Sequence, residues 1–590
     1  MNARTFVWLT VTVMAGVAIL TAVALMLGHT YSWTVGPVHI RITSLDKALT
    51  AAWLFVGIAL PAGWSRRFSR RIGTLLIVAT FLLTVVAVAR GAQEIAGAGD
   101  MAVIESYTID TVRSHLLLGP YSRFMWHHPG PLYFYFLAPF YVLSGYKATG
   151  LAAGALILNV MSLVAIGWVA LRIAGATSAL IITGVCVLYT IQFHEILASP
   201  WNPHVIVLPT MAVIILSAAV ASGSVRLLPA AAVLSTLIVQ THLGVAPVAL
   251  AISGCAMIAA AGRVLVAGDT ADRLRLRQVL SRSSWVLALL WFPPLLEQLT
   301  HTPGNLSMLW RFFRSNSERQ PLLMAAAAWA DATTGWLRHG LVVPLGVRYV
   351  SHPTGSIALL AAAQVVVLGI IAIRLARRHQ QFVAAMAVMV LVALLVTLWS
   401  VTHIAGEIVD HEVFWMSCLG PLVAAVLVDA LIAWRLPSRV SLAPWAARIG
   451  VATLLLVAAS YGVAELRLAV QRSYRPLDDE IAAQTIADEV RNDVQAGSGR
   501  KPMISIDPPA WEVAAGVITA LQKAGVRVAV EPGTVWMFTD VFAPTGEETE
   551  IVVVCREAMH RDLVERPGTR AIAARRGFFA DIVPLGSVRK

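Results

Sequence analysis

Charge is scarce in this chain of 590 residues. Asp, Glu, Lys and Arg together make up 13% of it, where an ordinary soluble domain carries about a quarter. With 58% hydrophobic residues and a mean hydropathy of +0.73, that shortage excludes a soluble globular protein. Cysteine is nearly missing as well. Cys186, Cys255 and Cys418 fall in apolar runs and Cys555 in a polar tail, so neither a disulfide framework nor cysteine chemistry is expected. There is no Gly-rich phosphate fingerprint, no internal repeat and no low-complexity segment beyond the apolar runs. The apolar runs themselves are almost free of ionisable groups, which a pathway for ions or protons through the bilayer midplane would require.

What is abundant is hydrophobic length. A helix needs about 20 apolar residues to cross the hydrocarbon core. Such runs recur at 6–27, 48–62, 74–89, 148–171, 177–193, 203–221, 227–241, 243–262, 284–298, 355–375, 381–400, 412–433 and 448–466. The fold class expected is an α-helical polytopic membrane protein with about 13 transmembrane helices. The first run is longer than a signal-peptide core and lacks a small-x-small cleavage site, so it reads as a retained anchor.

A net charge of +12 and a pI near 9.9 would suit a nucleic-acid binder, but the arginines sit between spans. Arg66, Arg67, Arg70 and Arg71 share one connector, Arg263 to Arg282 another, Arg374 to Arg378 a third and Arg435 to Arg448 a fourth. Counting spans puts all four on one side, which the positive-inside rule makes the cytoplasm. No nucleic-acid partner is expected. The reading is a multi-pass protein of the plasma membrane, with a cytoplasmic N-terminus and an extracytoplasmic C-terminal domain. The long segment 300–354 conflicts with this, because it holds five arginines on the outer side, although long loops obey the rule poorly.

The division expected is 1–72 as two extra N-terminal helices, 73–466 as the membrane region with outer loops at 91–147, 193–204, 300–354 and 401–413, and 467–590 as an extracytoplasmic α/β domain. That last region alternates a polar helix, the strand "PMISID", the helix "AWEVAAGVITALQKAG" and the strands "VRVAVEP" and "EIVVVC". It reads either as a structural cap or as a binding module. Within 300–354, "NLSMLWRFFRSNSER" sets Leu306, Leu309, Trp310 and Phe313 at helical spacing, with Arg311 and Arg314 on another face, as in an interfacial helix.

Most acids outside the tail lie in the outer loops. Asp100 follows "GAG" just beyond a span, where a general base could meet both a membrane-held donor and a water-soluble acceptor. Helix N-capping is its other reading. Glu105 follows five residues later, only partly on the same helical face. Downstream, "HHPGPLYFY" carries His127 and His128 before two prolines that stop a helix, a bend able to aim them and Arg123 at one pocket. There they would offer cationic or hydrogen-bonding groups to developing negative charge, or else belong to an interfacial aromatic belt.

These features together resemble the GT-C superfamily of glycosyltransferases that use polyprenyl-phosphate sugars. The likeness rests on the Asp at the end of the first outer loop, "LLGPYSRFMWHHPGPLYFYFLAPFY" after it, "SPWNPH" in the next loop, many spans and an extracytoplasmic tail. It is nearest to actinobacterial arabinosyl- and mannosyltransferases and covers roughly 74–466. The resemblance implies that Asp100 acts as base on an acceptor hydroxyl while polyprenyl phosphate leaves, with inversion at the anomeric carbon. Many members carry two adjacent acids, whereas here a lone Asp follows Gly99.

His194, Glu195, Asn202 and His204 could line a sugar pocket, and His242 and Glu297 stand at other outer span ends. Arg311 and Arg314 are candidates for the lipid phosphate or for headgroup anchoring. His403 and Glu407 belong to the late polar cluster "VTHIAGEIVDHEVFW", a solvated loop unless it folds over the cavity. The spacing matches no metal-ligand motif, no metal ligand is assigned, and a divalent cation is the one cofactor left open. The expected partners are a polyprenyl-phosphate-linked sugar donor, a glycan or glycolipid acceptor and the bilayer. A flippase or transporter of a lipid-linked precursor and a non-catalytic scaffold are the alternative functions.

Overall fold

The computed structural model describes residues 3–35, 38–42, 44–63, 67–113, 116–338, 341–349, 355–378, 380–435, 442–497 and 500–585. Of the connector arginines, Arg66 and Arg439 lie outside the described residues. All thirteen apolar runs fall on helices, as they must where no water can satisfy the backbone. Among the described residues ten helices are long and apolar enough to cross a membrane. The remaining three runs fall on Leu45–Gly63 and on the shorter Ala176–Gln192 and Val225–Thr241. The run at 284–298 is the last part of a helix of 31 residues, Thr270–Thr300. Its arginine-rich first half, started by an Asp269 side chain that accepts from Ala271 N at 2.8 Å, had read as connector.

Two compact units make up the chain: 1–94 with 140–153 and 466–475, and 95–139 with 154–465 and 476–590. In the first, Ala3–Met26, Leu45–Gly63 and Arg67–Arg90 pack together. Ala22 and Ala48 are buried at the contact, where small side chains let helix backbones approach.

The second unit is built around Val207–Ala221, every residue of which is buried. A helix apolar on all sides belongs inside a bundle. Leu228–Thr241, Ala246–Ala267 and Gln381–Val401 pack against it. This unit also contains the tail, whose five-stranded sheet runs in the order 529–530, 502–506, 550–556, 578–584, 570–575. The first three strands are parallel and the last two antiparallel. Ile551, Val553, Cys555, Leu563 and Val583 form its core. The two antiparallel strands escaped the sequence reading because Arg570, Arg575 and Arg576 break up their apolar pattern.

The tail matters for the site because its helix Trp511–Lys523 packs along Gly99–Val112, the helix that begins at Asp100. Gly516 makes the approach possible: a Cβ there would lie 2.3 Å from the Gly97 carbonyl oxygen and 2.7 Å from the Ala483 methyl. The polar groups on that face are satisfied by the tail. Lys523 Nζ meets Glu105 Oε1 at 2.9 Å, Gln522 Nε2 donates to Asp110 Oδ1 at 2.8 Å, and Thr539 Oγ1 donates to Asp110 Oδ2 at 2.6 Å. Buried acids persist only with such partners.

Candidate active site

Gly99 opens the Asp100 helix with φ at +55°, a conformation that costs an L side chain about 1 kcal/mol or more. That turn sets Asp100 in the first helical turn, where the helix dipole favours negative charge. Its side chain does not cap the helix. The Tyr121 hydroxyl donates to Oδ1, and Trp201 Nε1 donates to Oδ2 at 2.9 Å. A carboxylate has about four lone-pair positions, so one on each oxygen remains free for a further donor.

Both donors are themselves held. Tyr121 packs against Trp536 of the tail at 5.8 Å between centroids, and burial, with the Asp100 charge as second cause, pushes its phenol well above its ordinary range. It stays a donor. Trp201 lies between His204, edge-on at 4.8 Å, and His411 at 5.2 Å, and His204 Nδ1 bonds Ser199 Oγ at 2.8 Å.

The segment after the helix folds back as a tight hairpin. Tyr121 bridges His127, Ser122 N donates to Trp126 O at 2.9 Å, and His128 N donates to Pro120 O at 2.8 Å. Met125 takes the positive φ of 63° that the tip needs. Asn305 clamps the base, accepting from His127 N and donating to His127 O, both at 2.9 Å. Glu297 in turn accepts from Asn305 N at 2.9 Å. Glu297 and His127 are thus parts of the brace; the His127 ring, bonded to the Tyr107 hydroxyl at 2.9 Å, is lowered to about 4 by burial.

The hairpin, the Asp100 helix and the 399–416 segment enclose a cavity of about 910 Å³. Of the residues singled out from sequence, Asp100, Arg123, His128, Asn202, His242 and His403 line it. His128 Nδ1 accepts from Leu243 N at 3.0 Å, which leaves the ring proton on Nε2. Its ring stacks on His242 with centroids 5.2 Å apart. Burial, and secondly the neighbouring histidines, hold His128 well below its ordinary value and His242 at about 3. Both are neutral at physiological pH. His242 Nδ1 and Trp126 Nε1, on residues 8% and 6% exposed, are buried without a hydrogen-bond partner, and both residues face the cavity.

Arg123, at the hairpin tip, donates through Nη2 to Glu412 Oε1 at 2.9 Å and to the carbonyls of Ala405 and Glu407, pinning the 405–412 loop over the cavity. Arg319 also lines the wall, and its guanidinium donates to the carbonyls of Asn316 and Glu318.

The other sequence candidates lie elsewhere. Glu105 faces the tail, His194 bonds Glu465 at 2.8 Å beside Glu195 at 3.9 Å, and Glu407 pairs with Arg348 at the surface. Arg311 and Arg314 are exposed on Asn305–Ser315. The apolar face of that helix, Leu306, Leu309, Trp310 and Phe313, instead lines a second cavity of about 630 Å³. It shares Leu243, Ala246, Leu250 and Phe313 with the first, so the two are neighbours.

No protein-family model matches the chain, and no curated protein matches it. Among solved structures it aligns with ArnT from Cupriavidus metallidurans, in a crystal structure bound to undecaprenyl phosphate, at 12% identity and a TM-score of 0.49, over 86% of this chain and 97% of that one. The apo form of the same protein aligns at 12% identity and a TM-score of 0.45, over the same shares. Likeness of this degree assigns neither substrate nor residue roles.

Sequence reasoning missed Tyr121, Trp201 as a partner of Asp100, Trp126 and Arg319. Among the described residues no three His, Cys, Asp or Glu side chains gather as a ligand set.

Proposed function

We propose that this chain is an integral membrane glycosyltransferase of GT-C type, passing a sugar from a polyprenyl-phosphate donor to a cell-envelope acceptor on the extracytoplasmic face. The observation that carries the reading is Asp100. Its carboxylate is fixed by two donors, keeps a free lone pair on each oxygen, and stands in the wall of a cavity large enough for a saccharide. The adjoining apolar cavity, walled by Leu309, Trp310, Phe313 and Met257, suits the isoprenoid tail, because a lipid leash must leave the polar pocket through hydrocarbon-like surface.

The chemistry follows from that placement. An acceptor hydroxyl donates to a free lone pair of Asp100, which takes its proton as the oxygen attacks the anomeric carbon. The bond from that carbon to the phosphate oxygen breaks, and polyprenyl phosphate leaves with the electron pair. Attack opposite the leaving group inverts the centre. Negative charge growing on the phosphate meets Arg319 and the His128 Nε2–H, donors in place before the reaction and therefore worth more than water.

A flippase is the competing reading, but the ionisable groups of this cavity gather at one end of the helices that line it, not as a chain across the bilayer. Purified full-length protein, offered a panel of radiolabelled polyprenyl-phosphate sugars and envelope glycan acceptors, is expected to transfer label from at least one. Vesicle-to-vesicle or leaflet-to-leaflet movement of a labelled precursor without any transfer would favour the flippase instead.

A further inference from the structure

Asn202 and Pro203 line the candidate site at the start of Asn202–Ala221; at the other end of that helix, residues 223–227 line a separate cavity of about 460 Å³. Twenty helical residues rise about 30 Å, the thickness of the hydrocarbon core. The neighbouring helix runs likewise from Ala246 and Leu250 at the first cavity to Ala260 and Ala267 at this one. The 460 Å³ cavity therefore opens at the opposite membrane surface.

Four arginines converge there from four separate helix ends: Arg172, Arg226, Arg263 and Arg275. One carboxylate, Asp272, lines the same space and pairs with Arg275 at 2.8 Å. Arg263 is braced, donating to the Ala221 carbonyl at 2.8 Å and to Gln381 Oε1 at 2.5 Å. The Arg172 guanidinium lies 5.4 Å from the Trp168 ring centre. Among the described residues neither Arg172 nor Arg226 forms an ion pair with a carboxylate. Four guanidinium charges less one carboxylate leave three positive charges around a concave space. Arginines needed only to fix topology gain nothing by gathering, since like charges repel. Guanidinium groups facing a common hollow instead match phosphate oxygens. The flanks are apolar and open, with Trp168, Leu265 and Val266 47%, 67% and 90% exposed, as acyl chains beside a headgroup would need.

We infer that this cavity binds the phosphodiester of an anionic phospholipid headgroup, in the leaflet opposite the one that serves the candidate active site. Basic pockets between membrane helices hold such headgroups elsewhere. The test is native mass spectrometry of the full-length protein, titrated with phosphatidylglycerol or phosphatidylcholine. Wild type is expected to retain phosphatidylglycerol at least tenfold better than phosphatidylcholine. The pair Arg172→Gln and Arg226→Gln should lose that preference while melting like wild type in phosphatidylcholine. Asp272→Asn, which removes the competing acid and frees Arg275, should bind more tightly. Undiminished preference in the double variant, or unchanged or weaker retention in Asp272→Asn, overturns the site. Inorganic phosphate at the same concentration should leave the lipid in place; displacement by phosphate alone would overturn the lipid assignment.

Discussion

Asp100 stood out in the sequence as an acid in the first outer loop, shortly after an apolar run and ahead of a helix. Its partners were not legible. Tyr121 and Trp201 lie 21 and 101 residues away, separations that no local pattern encodes. A hydrogen bond to a charged group is worth about 1.5–3 kcal/mol, so Tyr121→Phe or Trp201→Phe is expected to lower kcat about tenfold to a hundredfold. KM for the donor should stay near the wild-type value, because each residue positions the base and does not hold the lipid. A rise in KM with kcat unchanged would place them in substrate binding instead. The histidines carry a second expectation at this scale. His127 is held at about 4 and His242 at about 3, below the ordinary 6.5 that the unfolded chain shows. Between those values the unfolded state binds protons that the folded state does not, so stability is full above pH 6.5 and declines as pH falls toward 4. Thermal unfolding followed from pH 8 to pH 4 should show that decline, and His242→Gln should lessen it.

At the scale of elements, the long apolar helices were plain from sequence, since a run of about twenty apolar residues matches the length of helix that spans the hydrocarbon core. The hairpin at 119–128 was not. Pro129 and Pro131 after it signalled only the end of a helix, and its tip is turned by Met125, a residue with no turn signature. The amphipathic helix at 305–315 has the two faces expected of it: the arginines are exposed, and the apolar side lines the second cavity. The contact between Trp511–Lys523 and the Asp100 helix makes a specific demand. Gly516→Ala puts a methyl into backbone and so should cost about 1–3 kcal/mol. Because the first atom struck belongs to Gly97, three residues before Asp100, activity should fall further than the loss of stability alone explains. A variant that is destabilised but retains full specific activity after folding would separate the tail from the site.

For the whole molecule, composition was enough to establish a multi-pass membrane protein, and the alternation after 467 was enough for an α/β tail. The role of that tail was open between cap and binding module. It covers the back of the Asp100 helix, supplies partners for Glu105, Asp110 and Tyr107, and supports Tyr121 through Trp536. A cap that positions the base accounts for these contacts. Chains ending at 475 are therefore expected to lose transfer altogether, even with acceptors too small to reach the tail. The proposed topology has its own check: a cysteine placed at exposed Glu565 should react with a membrane-impermeant maleimide in intact cells. Labelling only after lysis would put the tail, and the cavity with it, in the cytoplasm.

The most direct measurement is the rate of sugar transfer by Asp100→Asn beside wild type, at equal folded protein and saturating donor. An amide keeps the shape but cannot take the acceptor's proton, so turnover should fall by about a hundredfold to ten-thousandfold with the protein still folded and still binding donor. Turnover within a few-fold of wild type would contradict Asp100 as the base.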